Sequence, residues 1–199
     1  ITGSNSLTGA MNVNQGTLNL AATNNSRTAA PAYMGVGSTL GSGTLNLLPG
    51  ARISRFETKL GNATGAKGTL NMTNATLTTG GGEIWIGGSA DDIQCEGEMN
   101  VVNSSVTVNN WTALGRSFGA SGASKGLLNL IGGNWTNQGA NNFVVTSAAT
   151  NMATVNIDST STLATGTGNQ IWVGENGNGI MNINGGTVLA NRTANPALA

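Results

Sequence analysis

The chain has 199 residues; 8% are charged, eight Lys plus Arg against eight Asp plus Glu, and there is no histidine. So sparse and balanced a charge excludes the dense basic face of a nucleic-acid binder, and the missing histidine removes the commonest general base and metal ligand. Cys95 is the sole cysteine, which excludes an intrachain disulfide and a thiolate metal cage, and no apolar run approaches the ~20 residues of a transmembrane helix.

In chain order, one five-residue phrase keeps returning: small, any, apolar, Asn, apolar. It occurs as Gly9-Ala10-Met11-Asn12-Val13, Gly43-Thr44-Leu45-Asn46-Leu47, Gly68-Thr69-Leu70-Asn71-Met72 and Gly97-Glu98-Met99-Asn100-Val101. It continues as Gly126-Leu127-Leu128-Asn129-Leu130, Ala153-Thr154-Val155-Asn156-Ile157 and Gly179-Ile180-Met181-Asn182-Ile183. The asparagines are 34, 25, 29, 29, 27 and 26 residues apart, and self-similarity at such a period marks a solenoid. Within the phrase, Leu45 and Leu47 point to one face of a strand while Thr44 and Asn46 point to the other.

Six or seven residues after each asparagine comes a second short strand, centred on Leu18, Ile53, Leu77, Val106, Trp135, Leu163 or Val188. Turn formers separate the two, as in Asn14-Gln15-Gly16, Pro49-Gly50, Gly132-Gly133 and Asn184-Gly185-Gly186. A third strand follows and usually ends in glycine, as in Met34-Gly35-Val36-Gly37, Ile84-Trp85-Ile86-Gly87 and Ile171-Trp172-Val173-Gly174. Apolar residues recur at period two and not 3.6, so no helix is expected. The fold predicted is all-β: a right-handed parallel β-helix of about seven coils of 25–34 residues, three short strands per coil, forming one domain over 1–199. Length variation is assigned to lateral loops at residues 21–32 and 88–96.

Seven asparagines in register are not explained by strand propensity, since Asn is depleted in strands. Asn12, Asn46, Asn71, Asn100, Asn129, Asn156 and Asn182 are therefore read as a structural ladder of stacked carboxamides. On the third sheet the outward positions align as Gly35, Lys59, Trp85, Ala113, Val144 and Trp172. From Trp85 onward that column is apolar, and Trp85, Val144 and Trp172 are read as a contact stripe, to be filled by another rod, a folded-back loop or a surface glycan. The acids between Glu83 and Glu98 lie between basic neighbours that include Lys59, Lys67, Arg116 and Lys125, a pattern of pairing across coils.

A glycosidase needs two opposed carboxylates ~5–9.5 Å apart. Asp91 and Asp92 are adjacent, and Asp158 is expected on another side of the rod at least two coils away. No catalytic residue, metal site or cofactor is assigned on these grounds, and the chain reads as a non-enzyme. Hydroxyls flank Leu77 and Val106, but Arg52, Ala164 and Leu189 interrupt those columns, so an ice-binding face is not assigned either.

The phrases Gly43-Thr44-Leu45-Asn46-Leu47 and Gly179 to Val188, with Ile84-Trp85-Ile86-Gly87 and Ile171-Trp172-Val173-Gly174, resemble the passenger-associated transport repeats of bacterial autotransporter-type proteins. That resemblance implies a secreted or surface-displayed bacterial β-helix, adhesive or structural. Residues 1–6 and 192–199 show no amphipathic cap. An uncapped solenoid either continues or stacks on itself, and non-closing self-contacts give filaments. The expected function is an extracellular stalk or filament subunit whose partner is itself. A glycan-binding adhesin using the tryptophan stripe is the alternative, and a polysaccharide-degrading enzyme is a weaker one.

Overall fold

Alternation is what turns each phrase into a strand, and the need to bury its apolar face makes the strands stack. Because Leu45 and Leu47 face inward with Gly43 and all three are buried, a single coil has nothing to cover them except the coils on either side. The computed structural model describes residues 9–21, 25–26, 33–88, 94–116, 123–138 and 141–191. No helix is present among the described residues.

The strands run β1 (Met11–Val13), β2 (Gly16–Leu20), β3 (Asn25–Ser26), β4 (Tyr33–Val36), β5 (Ser42–Leu47), β6 (Arg52–Arg55) and β7 (Glu57–Leu60). Then come β8 (Lys67–Thr73), β9 (Thr76–Thr79), β10 (Ile84–Ile86), β11 (Glu96–Val102), β12 (Ser105–Val108), β13 (Thr112–Leu114) and β14 (Lys125–Ile131). The last are β15 (Asn134–Asn137), β16 (Phe143–Val145), β17 (Met152–Ile157), β18 (Thr162–Thr165), β19 (Ile171–Val173), β20 (Asn178–Ile183) and β21 (Thr187–Ala190). Every third strand joins the same sheet. The result is three seven-stranded sheets, ordered β1-β4-β7-β10-β13-β16-β19, β2-β5-β8-β11-β14-β17-β20 and β3-β6-β9-β12-β15-β18-β21. All pairings are parallel, as in β5 with β8 and β11 with β14. This is a parallel β-solenoid of six full coils, β2 to β19, preceded by β1 and followed by β20 and β21.

Register carries each inward residue onto its counterpart. In the phrase sheet the columns are Leu18, Leu45, Leu70, Met99, Leu128, Val155, Met181 and Leu20, Leu47, Met72, Val101, Leu130, Ile157, Ile183. The second sheet adds Ile53, Leu77, Val106, Trp135, Leu163 and Val188. Trp135 is fully buried, edge-on to Phe143 at 5.9 Å. Each fully buried side chain of this size contributes about 1.5–3 kcal/mol, and only from within the stack.

The first coil departs from the sequence reading. Gly9-Ala10-Met11-Asn12-Val13 is not the first copy of the phrase: its strand β1 pairs with β4, placing Asn12 beside Gly35 on the third sheet. The first copy is Gly16-Thr17-Leu18-Asn19-Leu20, identical in sequence to Gly43–Leu47 and paired with it residue for residue. Leu18 is accordingly a phrase residue and not the centre of a second strand. The anomalous spacing of 34 becomes 27, and residues 21–32, read as a lateral loop, contain the second-sheet strand β3. Backbone hydrogen-bonding demand chose between the two phases, because only the second gives every strand a neighbour of its own sheet.

Corner glycines set the coil's sharpness. Gly37, Gly61, Gly87, Gly115 and Gly174, which follow the third strand, all have positive φ, and Thr146 occupies that slot at φ 65° in the fifth coil. The phrase glycine does something else: Gly97 is not among the positive-φ residues, and a Cβ on it would collide with the backbone of Ile86 and Gly87. It is small so that strand β11 can start against the preceding corner; it does not turn the chain.

These geometries separate two glycine substitutions. Gly50 has φ 83° with open space around it, whereas a Cβ on Gly87, at φ 78°, falls inside the Lys125 carbonyl. Gly50→Ala is expected to cost about 1–2 kcal/mol from the left-handed backbone alone. Gly87→Ala adds a backbone collision and should cost at least about 3 kcal/mol, measured as the shift in urea denaturation free energy. Equal losses at the two positions would contradict this packing.

Candidate functional site

Alternation puts the phrase asparagine on the outer face, and in-register stacking puts each one over the next. Asn46 Nδ2 donates to Asn19 Oδ1 at 2.7 Å, Asn71 to Asn46 at 2.8 Å, and Asn100 to Asn71 at 2.8 Å. Asn129 donates to Asn100 at 2.7 Å, Asn156 to Asn129 at 2.7 Å and Asn182 to Asn156 at 2.8 Å. All six bonds point the same way along the rod. Asn12 is outside this ladder; its Oδ1 instead lies 3.4 Å from the Ser38 hydroxyl. The amides of the inner members are spent on one another, so the column is a clamp on register.

The third sheet carries the outward column Gly35, Lys59, Trp85, Ala113, Val144, Trp172 in that register. It is not an open stripe. Ala113 and Val144 are fully buried, and Trp85 and Trp172 are half-buried. Lys59 Nζ lies 4.4 Å from the Trp85 ring centre and Arg116 Cζ lies 4.8 Å from it, one cation from the rung before and one from the rung after. Arg116 also lies 5.3 Å from the Trp111 ring, which meets Trp172 edge-on at 6.4 Å. Both indole N–H groups are used, Trp85 donating to Glu83 and Trp172 to Gln170. Glu83 pairs with Arg116 at 2.8 Å and Glu57 with Lys59 at 3.3 Å. Such stacked cations contribute about 0.5–2 kcal/mol each. Sequence reasoning missed Trp111 and Arg116 as members of the row, since both lie in corners flanking β13 where no strand alternation assigns a direction.

The charged loops resolve similarly. Glu96 lies between Lys67 at 3.7 Å and Lys125 at 3.1 Å, one rung to either side. The hydrogen bond from Lys125 is the main reason its carboxyl is held below the ordinary value. Asp158 is a corner cap. It accepts from the Ser161 hydroxyl at 2.5 Å and from the backbone N–H groups of Gly132 and Thr160 at 3.1 Å, and these bonds, Ser161 first, lower its pKa. Glu57 goes the other way: burial raises its pKa, against the opposing pull of Lys59. Asp91 and Asp92 lie outside the described residues. Among the described residues no group of three His, Cys, Asp or Glu side chains converges to hold a metal ion.

At the last described rung, β19–β21, the inward positions are less covered than in the coils before it. Val155, Ile157 and Leu163 are fully buried, but Ile183 and Val173, in the same columns as Ile157 and Val145, are 49% and 46% exposed. Met181 and Val188 are only partly covered.

The depressed carboxyls fix the sign of the acid response. A carboxylate with a lowered folded-state pKa contributes stability that is present above its unfolded value and lost as pH falls through its folded one. The thermal midpoint should therefore fall on acidification below about pH 4.5. The Glu96→Gln/Asp158→Asn variant should start lower at neutral pH and show a shallower acid decline. Glu57 acts in the opposite sense, since protonating it as pH falls through its raised value relieves its burial, so Glu57→Gln should steepen the net decline. A parallel fall in all three proteins would contradict these assignments. Comparison with protein-family models, curated proteins and solved structures finds no match to this chain.

Proposed function

We propose that this chain is a non-enzymatic extracellular structural protein, a β-solenoid stalk or filament subunit that assembles by end-to-end stacking of coils. The observation that carries the reading lies on the last described rung, β19–β20–β21. There inward-facing apolar residues, Ile183 and Val173 above all, are half exposed beside three parallel strand edges. Such an edge accepts another coil as readily as it follows the one before. Composition supports it too, because a chain with balanced, sparse charge presents little repulsion to a second copy. The Gly-, Asn-, Thr- and Ser-rich surface and the passenger-like phrases favour display outside a bacterial cell.

Some side chains that an alternative chemistry would use are engaged within the fold. Asp158 caps a corner, and Lys59 and Arg116 occupy the face of Trp85 on which a sugar ring would stack. These contacts favour the structural reading over hydrolysis or glycan stacking.

Electron microscopy of the purified chain, paired with sedimentation velocity over a concentration series, tests the proposal. Rods that lengthen with concentration are expected. Ile183→Asp, which puts a charge on the last described rung, should weaken association at least tenfold while leaving the β-type circular dichroism unchanged. Compact, monodisperse particles at every concentration would overturn it.

A further inference from the structure

The three outer faces of the solenoid differ in how much of their hydrogen-bonding capacity is used. On the phrase sheet the asparagine amides bond to one another, and on the third sheet Lys59 and Arg116 stack on Trp85. On the second sheet the outward side chains form two files. Ser54, Thr78, Thr107 and Thr136 occupy consecutive rungs of one file. Thr76, Ser105, Asn134, Thr162 and Thr187 occupy the other. None of these side chains makes a hydrogen bond within the described structure. Ser105, Asn134 and Thr187 are exposed, and the rest are half-buried.

Arg52, Ala164 and Leu189, which break these columns in the sequence, fall at their ends. In paired register Arg52 precedes Thr76, while Ala164 and Leu189 follow Thr136. The centre, Thr76 to Asn134 beside Thr78 to Thr136, is unbroken and carries neither a charge nor an outward ring. Trp135 points the other way and is fully buried.

Such a face selects its ligand by repetition. Rungs are about 4.8 Å apart and alternate residues of a strand about 6.6 Å apart, and stacking with side-chain ladders keeps such a sheet flat. A dissolved sugar or peptide would trade hydroxyl–water bonds for hydroxyl–ligand bonds, at little net gain per contact. A solid lattice of the same repeat engages every position in one geometry, so that small gains accumulate. Ionic solids call for charged side chains and crystalline polysaccharides for flat aromatic platforms, and the centre of this face has neither. Frozen water needs neither. Its oxygens accept from hydroxyls and donate to them, threonine methyls fit the hollows of its surface, and the prism face of hexagonal ice has cell edges close to both protein spacings.

We propose that the outer face of the second sheet binds ice, through Thr78, Thr107 and Thr136 in one file and Thr76, Ser105 and Asn134 in the other. The face lies within one chain and does not depend on end-to-end association. Partition of the whole protein between slowly grown ice and the remaining liquid tests it. The parent chain should enter the ice at least tenfold more than an inert globular protein of similar mass. Thr107→Tyr sets a ring at the centre of the face and holds the lattice away from it, while keeping a strand-forming residue. It should lower that uptake about tenfold with unchanged circular dichroism. Thr69→Tyr, outward on the phrase sheet, should leave the uptake as it is. Exclusion of the parent chain from ice would overturn the proposal, and so would equal uptake by Thr107→Tyr and the parent or equal losses at the two positions.

Discussion

Every feature of this molecule depends on one constraint: each rung must lie in register over the rung before it. No coil has a core of its own. Leu45 and Leu47 are buried by the coils that include Leu18, Leu20, Leu70 and Met72, so the apolar contribution to stability exists only if identical positions superpose. The parallel backbone hydrogen bonds enforce that superposition along the strand. The carboxamides repeat the enforcement on the outer face, where a slip of one residue would exchange every inward side chain for an outward one. Each amide bond contributes a net ~0.5–1.5 kcal/mol, a modest amount beside core burial. Their larger effect is to make competing registers worse.

The same constraint explains what could be read from the chain and what could not. Periodic apolar pairs and the recurring asparagine were enough for the solenoid, its three sheets and the pairing partners from Asn46 onward. The first coil was misread because Met11-Asn12-Val13 fits a pattern defined by residue class, although it belongs to the third sheet. The correct copy, Gly16–Leu20, repeats Gly43–Leu47 letter for letter, and it alone brings the first spacing into the range of the others. Coil length is the better guide here, because stacking tolerates substitution more readily than a change of path.

Exposure of the tryptophans lay beyond the reach of alternation. The periodicity places Trp85 and Trp172 outward but says nothing of what lies over them. Their cover includes Trp111 and Arg116, which leave the strands at corners whose direction is set by turn geometry. Charge is used inwardly too: Lys67, Glu96 and Lys125 pair along the stack, and Asp158 satisfies the backbone of a neighbouring turn. These ionic and aromatic groups of the described surface are thus engaged with adjacent coils. Among the described residues the inward columns are least covered at the last rung, where Ile183 and Val173 are half exposed.

The side-chain amide hydrogens of the asparagines report most directly on whether register is clamped as described. In a nitrogen-edited NMR hydrogen-exchange experiment on the whole chain, Nδ2 protons of Asn71, Asn100, Asn129 and Asn156, each held between two ladder neighbours, should exchange far more slowly than those of the exposed Asn134. Exchange of all these side chains at the same rate would contradict the account.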